Sequence, residues 1–122
     1  MDKAQTIHNF WSSFTWPAYD EGTVPDSADY PRITYNVITD ELGNPLAMYA
    51  SLWDRSSSWS SVSQKADEIA EAIAKLHPPA IAFDRGRVYV TKGTPFAQRM
   101  VDEDDMVRRI YINITVEYFA AY

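Results

Sequence analysis

The closing stretch of the chain limits its fold more than any other feature. Ile110, Ile112, Ile114, Val116 and Tyr118 alternate with Tyr111, Asn113, Thr115, Glu117 and Phe119. This is the two-residue period of a β-strand with one buried face. A strand from Val107 to Phe119 reaches about 41 Å at roughly 3.4 Å per residue, whereas a compact chain of 122 residues has a diameter of about 35 Å. Either the strand bends at a bulge or a hairpin protrudes. A protruding hairpin with aromatic residues on both faces is a natural place for a neighbouring subunit.

The preceding sequence supplies the layer that such a strand must pack against. Ile7, Phe10, Trp11 and Phe14 share one helical face, which predicts a helix from Asp2 to Phe14, stopped by Pro17. The segment from Pro17 to Pro31 holds Asp20, Glu21, Asp26 and Asp29 without a base and reads as an acidic surface loop. Two alternating stretches flanking Asp40-Glu41-Leu42-Gly43-Asn44-Pro45 predict a β-hairpin from Arg32 to Arg55. The serine-rich run from Ser56 to Ser63 leads into Val62, Ala66, Ile69, Ala70, Ile73 and Leu76, a second helix entered through a cap at Ser58, Ser60 or Ser61. Its outer face carries Lys65, Glu68, Glu71 and Lys75 at ion-pairing spacing, and His77-Pro78-Pro79 ends it. Strands follow at Ile81 to Phe83, around Val88 and Val90, from Phe96 to Val101, and along the closing stretch. The expected order is α-β-β-α-β-β-β-β, an α+β fold with two helices on one face of a mostly antiparallel sheet, in one domain spanning residues 1–122.

Composition narrows the function. Hydrophobic residues make up 46% of the chain, including four Trp, eight Tyr and five Phe, enough to build a core and too many for general disorder. Zero Cys removes disulfides, cysteine-ligated metals and thiol nucleophiles. The formal net charge of −6 opposes sequence-independent binding to phosphate backbones. Neither a signal-peptide core nor a membrane-length apolar run is present in the sequence, so a soluble protein of the cytoplasm is the expectation.

No residue set in the sequence makes a catalytic, cofactor or metal site. His8 and His77 lack ligand-spaced company and read as structural. The run Asp102-Glu103-Asp104-Asp105 lacks the alternating spacing and glycine of a calcium loop, and reads as a solvated turn screened by Arg108 and Arg109. The serines have no nucleophile-elbow or Ser-x-x-Lys context, and no phosphate-cradling glycine motif exists. Trp11, Trp16, Trp53 and Trp59 read as core or interface anchors. A small-ligand pocket lined by aromatics and both histidines is the competing reading. A nucleic-acid surface on residues 85–99 with Tyr89 and Phe96 is a third.

Charge is distributed unevenly. Residues 1–60 hold three bases and eight acids, and residues 61–122 hold eight bases and nine acids. Within the second half, Arg85, Arg87, Lys92 and Arg99 fall in a stretch without an acid. A basic segment and the acidic 20–29 loop on one small domain can satisfy each other between identical copies, head to tail, and such contacts close into a ring when the rotation allows. The expected contact residues are Asp20, Glu21, Asp26, Asp29, Arg85, Arg87, Lys92, Arg99, Asp102, Glu103, Asp104 and Asp105.

Several segments carry a family resemblance: Tyr30-Pro31-Arg32-Ile33-Thr34-Tyr35, the hairpin turn from Asp40 to Pro45, and Leu52-Trp53-Asp54-Arg55-Ser56 with Trp59 ahead of a helix. Lys92-Gly93-Thr94-Pro95-Phe96-Ala97-Gln98-Arg99-Met100 followed by Asp104-Asp105-Met106-Val107-Arg108-Arg109 is the most distinctive part. Over about residues 16–119 the chain resembles tail-terminator or tail-completion proteins of the head–tail neck in long-tailed phages and prophages. The resemblance implies a non-enzymatic subunit of a ring, typically a hexamer, that caps the tail tube and meets the head connector. DNA passes through such a ring unread, no membrane is involved, and the protein moves from host cytoplasm into the virion. Head–tail adaptors, stoppers and tail-tube subunits share this size and logic.

Overall fold

The computed structural model describes residues 2–38, 44–76, 80–84 and 86–120. The first helix, α1 (Lys3–Ser12), starts where its chemistry dictates. The Asp2 carboxylate accepts the Gln5 backbone N–H at 2.8 Å, and the Gln5 side chain accepts the Asp2 N–H at 3.3 Å, a reciprocal capping box. Ile7, Phe10 and Trp11 are buried on its inner face. The helix ends before Phe14, which is buried just beyond it, and Thr15 turns the chain with φ of 71° ahead of Pro17.

Six strands form one sheet in the order β1-β2-β3-β6-β5-β4. β1 (Ala18–Asp20) lies inside the stretch expected to be loop and pairs in parallel with β2 (Arg32–Tyr35). β2 runs antiparallel to β3 (Leu46–Arg55), as the predicted hairpin requires; the turn residues Asp40 to Gly43 lie outside the described residues. α2 (Ser60–Lys75) follows, then β4 (Ala80–Phe83), β5 (Gly86–Met100) and β6 (Val107–Ala120). The observed order is α-β-β-β-α-β-β-β, because β1 was hidden and the two strands expected around Val88 and Phe96 are one.

The long closing strand is accommodated by pairing on both sides. β6 is central, bonded to β3 from Arg55↔Val107 to Leu46↔Val116. Against β5 the register slips between Lys92 and Ala97, so the expected bulge falls in the partner strand, where Gly93 to Phe96 loop out opposite Asn113. β4 pairs with β5 only from Gly86 to Tyr89. The outer limb of the β5–β6 hairpin therefore extends past it, with no strand on its outer side among the described residues.

Both helices pack on one face. Ile33, Met48, Ala50, Leu52, Val88, Val90, Ile112, Ile114, Val116 and Tyr118 from the sheet join Ile7, Trp11, Val62, Ala66, Ile69 and Ile73 in one buried cluster. The serines at the entrance of α2 act one residue away from expectation. Trp59 is the N-cap and makes no side-chain cap bond, while the Ser58 hydroxyl accepts the Ser60 N–H at 3.1 Å. On α2 the predicted Lys65–Glu68 and Lys75–Glu71 pairs form, at 3.0 and 2.7 Å. Lys65, however, is buried rather than outward: its Nζ donates to the Phe14 carbonyl at 2.8 Å and lies 5.2 Å from the centre of the Trp16 ring. Phe14 lies just beyond α1, so its carbonyl has no helical partner and accepts instead from Lys65 and from the Thr15 hydroxyl.

Candidate subunit interface

The sheet order sets the acidic loop at the β1 edge and the basic segment four strands away on β5, where Arg87 is enclosed between β4 and β6 and only the outer limb with Lys92 and Arg99 is an edge. Asp20 ends β1, and Asp20, Glu21, Asp26 and Asp29 are exposed in and beside the connection to β2. Arg87, Lys92 and Arg99 are exposed on β5; Arg85 lies outside the described residues. From β1 to β5 the sheet measures about 19 Å at roughly 4.8 Å per strand spacing. The three bases do not share one face. Arg87 pairs in register with Phe119 on the side away from the helices, while Lys92 and Arg99 sit opposite Ile114 and Ile110 on the helix side. Arg99 lies 4.8 Å over the Trp59 ring, and none of the three makes an ion pair among the described residues.

The acidic hairpin tip is a pair of side-chain-stabilised turns. The Asp102 carboxylate accepts the Asp104 N–H at 3.0 Å, and that of Asp104 accepts the Met106 N–H at 2.9 Å, local chemistry that suits Asp in turns. The expected screen by Arg108 and Arg109 divides. Arg55 makes the ion pair, with Asp104 at 3.0 Å. Arg108 instead donates to the carbonyls of Asp105 and Ser57 at 2.7 and 3.1 Å, and Arg109 belongs to the opposite face of the sheet. Val101 and Met106 flank the tip at 99% and 46% exposure, too open for packing within one copy.

The helix-free face of the sheet carries a feature that the sequence reading missed. Arg32, Trp53 and Arg109 are consecutive partners across β2, β3 and β6, so they form one row. Arg109 lies 4.6 Å and Arg32 5.9 Å from the Trp53 ring, and Arg32 is 4.5 Å over Tyr30, distances at which a cation is attracted to the ring face. The Trp53 indole N–H donates to Thr34 and the Arg109 Nε to Ser51. Tyr111 and Tyr49 continue the cluster with ring centroids 5.2 Å apart. The Tyr49 hydroxyl donates to Glu21, which raises the tyrosine pKa. The outward residues were legible from the two-residue period, but only the register shows that they meet.

Among the described residues, the groups of the small-ligand reading do not meet in one place. His8 is shared between the Tyr35 hydroxyl at 2.7 Å and Ser12 at 3.2 Å; His77 lies outside the described residues. A cleft of about 290 Å³ between the helices is lined by Thr6, Asn9, Phe10, Ser13, Phe14, Ala72, Leu76 and Ile81, with neither His8 nor an acid. Among the described residues no group of His, Asp and Glu is placed to hold a metal, and no helix is long and apolar enough to cross a membrane.

The fold is similar to that of a chain in a virion. That chain belongs to the virion of a native gene transfer agent particle; the two superpose with a TM-score of 0.62 over 95% of this chain and 93% of the other, at 14% identity. No protein-family model matches the sequence, and no curated protein matches it.

Proposed function

We propose that this chain is a structural subunit of a phage-like particle, acting as a tail terminator: copies associate head to tail in a ring that caps the tail tube and meets the head connector. The end-to-end likeness to a virion-particle chain carries the reading. The placement of the acidic loop at the β1 edge and of Lys92 and Arg99 on the uncovered limb of β5 supports the mode of association. Side-by-side packing sets the acidic edge of one copy against the basic limb of the next, a heterologous contact that closes into a ring when the rotation allows. A hexamer follows from the family resemblance, and the net charge of −6 favours passage of DNA over adhesion to it. Such a subunit assembles in the host cytoplasm, performs no catalysis, and ends in the virion.

The test is a double reversal, Arg87→Glu with Arg99→Glu. Both side chains are exposed and without ion-pair partners among the described residues, so the fold should persist by circular dichroism while sedimentation shows loss of assembly. A double variant that assembles as the parent does would refute the edge contact. Binding of rings to purified tail tubes then separates a terminator from an adaptor or stopper, whose rings bind elsewhere in the neck.

A further inference from the structure

The row on the helix-free face has more positive charge than its surroundings answer. Arg32 and Arg109 make no ion pair among the described residues, and the Arg32 Nε is buried without a hydrogen-bond partner. That atom is enclosed by the chain itself, so an approaching partner meets the outer part of the guanidinium rather than Nε. Arg32 already gives one terminal nitrogen to the Ala28 carbonyl at 3.0 Å and is stacked on Tyr30, so the guanidinium is held in place for an anion. The converse holds at the hairpin tip, where Asp104 is already paired with Arg55 of its own copy, itself 5.9 Å from the Tyr30 ring. The Glu103 and Asp105 side chains at the hairpin tip are exposed and make no ion pair among the described residues, and Val101 and Met106 beside them are open.

We infer that Arg32, with Tyr30 and Trp53 beside it and Arg109 behind, receives the acidic hairpin tip Asp102–Asp105 of a second copy. This rests on the head-to-tail reading and supplies it with a second contact. Arg32 begins β2, Trp53 is near the end of β3 and Arg109 near the start of β6; the tip immediately precedes β6. All four therefore lie at one end of the sheet. A copy rotated about an axis along the strands, with its β5 edge against the β1–β2 edge, brings its tip level with Arg32 from the nearer side. Glu103 and Asp105 then meet the guanidinium. Tyr, Trp and Arg are the residue types that dominate interface energetics.

The decisive variant is Glu103→Lys with Asp105→Lys, because these exposed side chains can change without disturbing the fold. The dissociation constant for self-association should rise at least about tenfold, the scale of one charge-assisted contact. Arg32→Glu should do the same, and the three substitutions combined in one chain should restore assembly. A tip variant that assembles as the parent does, while Arg87→Glu with Arg99→Glu dissociates, overturns the tip contact and leaves the edge contact standing. A parent chain that stays monomeric up to about 1 mM overturns both. Salt-sensitive retention of a single-stranded oligonucleotide that Arg32→Glu abolishes would assign the row to nucleic acid and overturn the proposal.

Discussion

Lys65→Met isolates the tie between the two helices. Methionine keeps the length of the stem, so packing is preserved and the polar contact alone is lost. Lys65 is 9% exposed, and its Nζ donates to the Phe14 carbonyl at 2.8 Å. A hydrogen bond from a charged donor contributes about 1.5–3 kcal/mol, and the carbonyl left behind keeps only the Thr15 hydroxyl as a donor. Relief of the desolvated ammonium offsets part of this. The Glu68 pair adds little, since that carboxylate is half exposed. The expected net loss is about 2 kcal/mol, or about 8 °C in Tm for a chain of this size. Urea unfolding should show a lower midpoint with an unchanged slope, and hydrogen exchange at Trp16 should accelerate. Glu68→Gln, the control, should change stability by less than about 0.5 kcal/mol. A Lys65→Met protein as stable as the parent would refute the assignment of Lys65 as a clamp.

Two further changes probe the sheet. A Cβ at Gly93 would sit 2.9 Å from the Asn113 Cβ and 3.0 Å from its backbone carbonyl carbon and oxygen. Gly93→Ala should therefore cost about 1–3 kcal/mol in thermal unfolding, while Gly22→Ala, which meets only the Asp20 side chain at 3.4 Å, should be near neutral. Burial pushes the Tyr118 phenol from 10 up to about 12, and its hydroxyl donates to the Ile38 carbonyl at 2.7 Å. The folded state thus favours the neutral form. That contribution is complete below pH 10 and is lost as pH rises toward 12. Urea midpoints across this window should fall, less steeply in Tyr118→Phe; Tyr35, raised first by burial and then by Asp20, keeps some slope in the variant.

The parts of the fold that repeat a period were legible. Ile7, Phe10 and Trp11 marked α1, Val62 to Ile73 marked α2, and the alternation from Ile110 to Tyr118 marked the central strand, because burial on one face leaves a pattern in the chain. β1 was not legible, since three residues between Pro17 and an acidic turn are too few to show alternation. Nor was the continuity of β5, since Gly93 and Pro95, residue types that interrupt a strand, sit where the structure has a bulge. At the candidate interface, charge counts along the chain found the acidic loop and the basic strand but could not tell that they lie four strands apart in the sheet. Lys65 misled because its spacing suited a surface ion pair, which it makes, while the Phe14 carbonyl just beyond α1 draws its ammonium inward. The Arg32, Trp53 and Arg109 row depends on the registers of three strands distant in sequence, and no local pattern encodes it.

Native mass spectrometry of the purified chain, with electron microscopy of the same sample, tests the ring most directly. One closed oligomer is expected, hexameric if the family resemblance extends to stoichiometry, with a central opening and no intermediate that persists as concentration rises. A two-fold dimer that does not grow, or a monomer at every concentration, would contradict a head-to-tail ring.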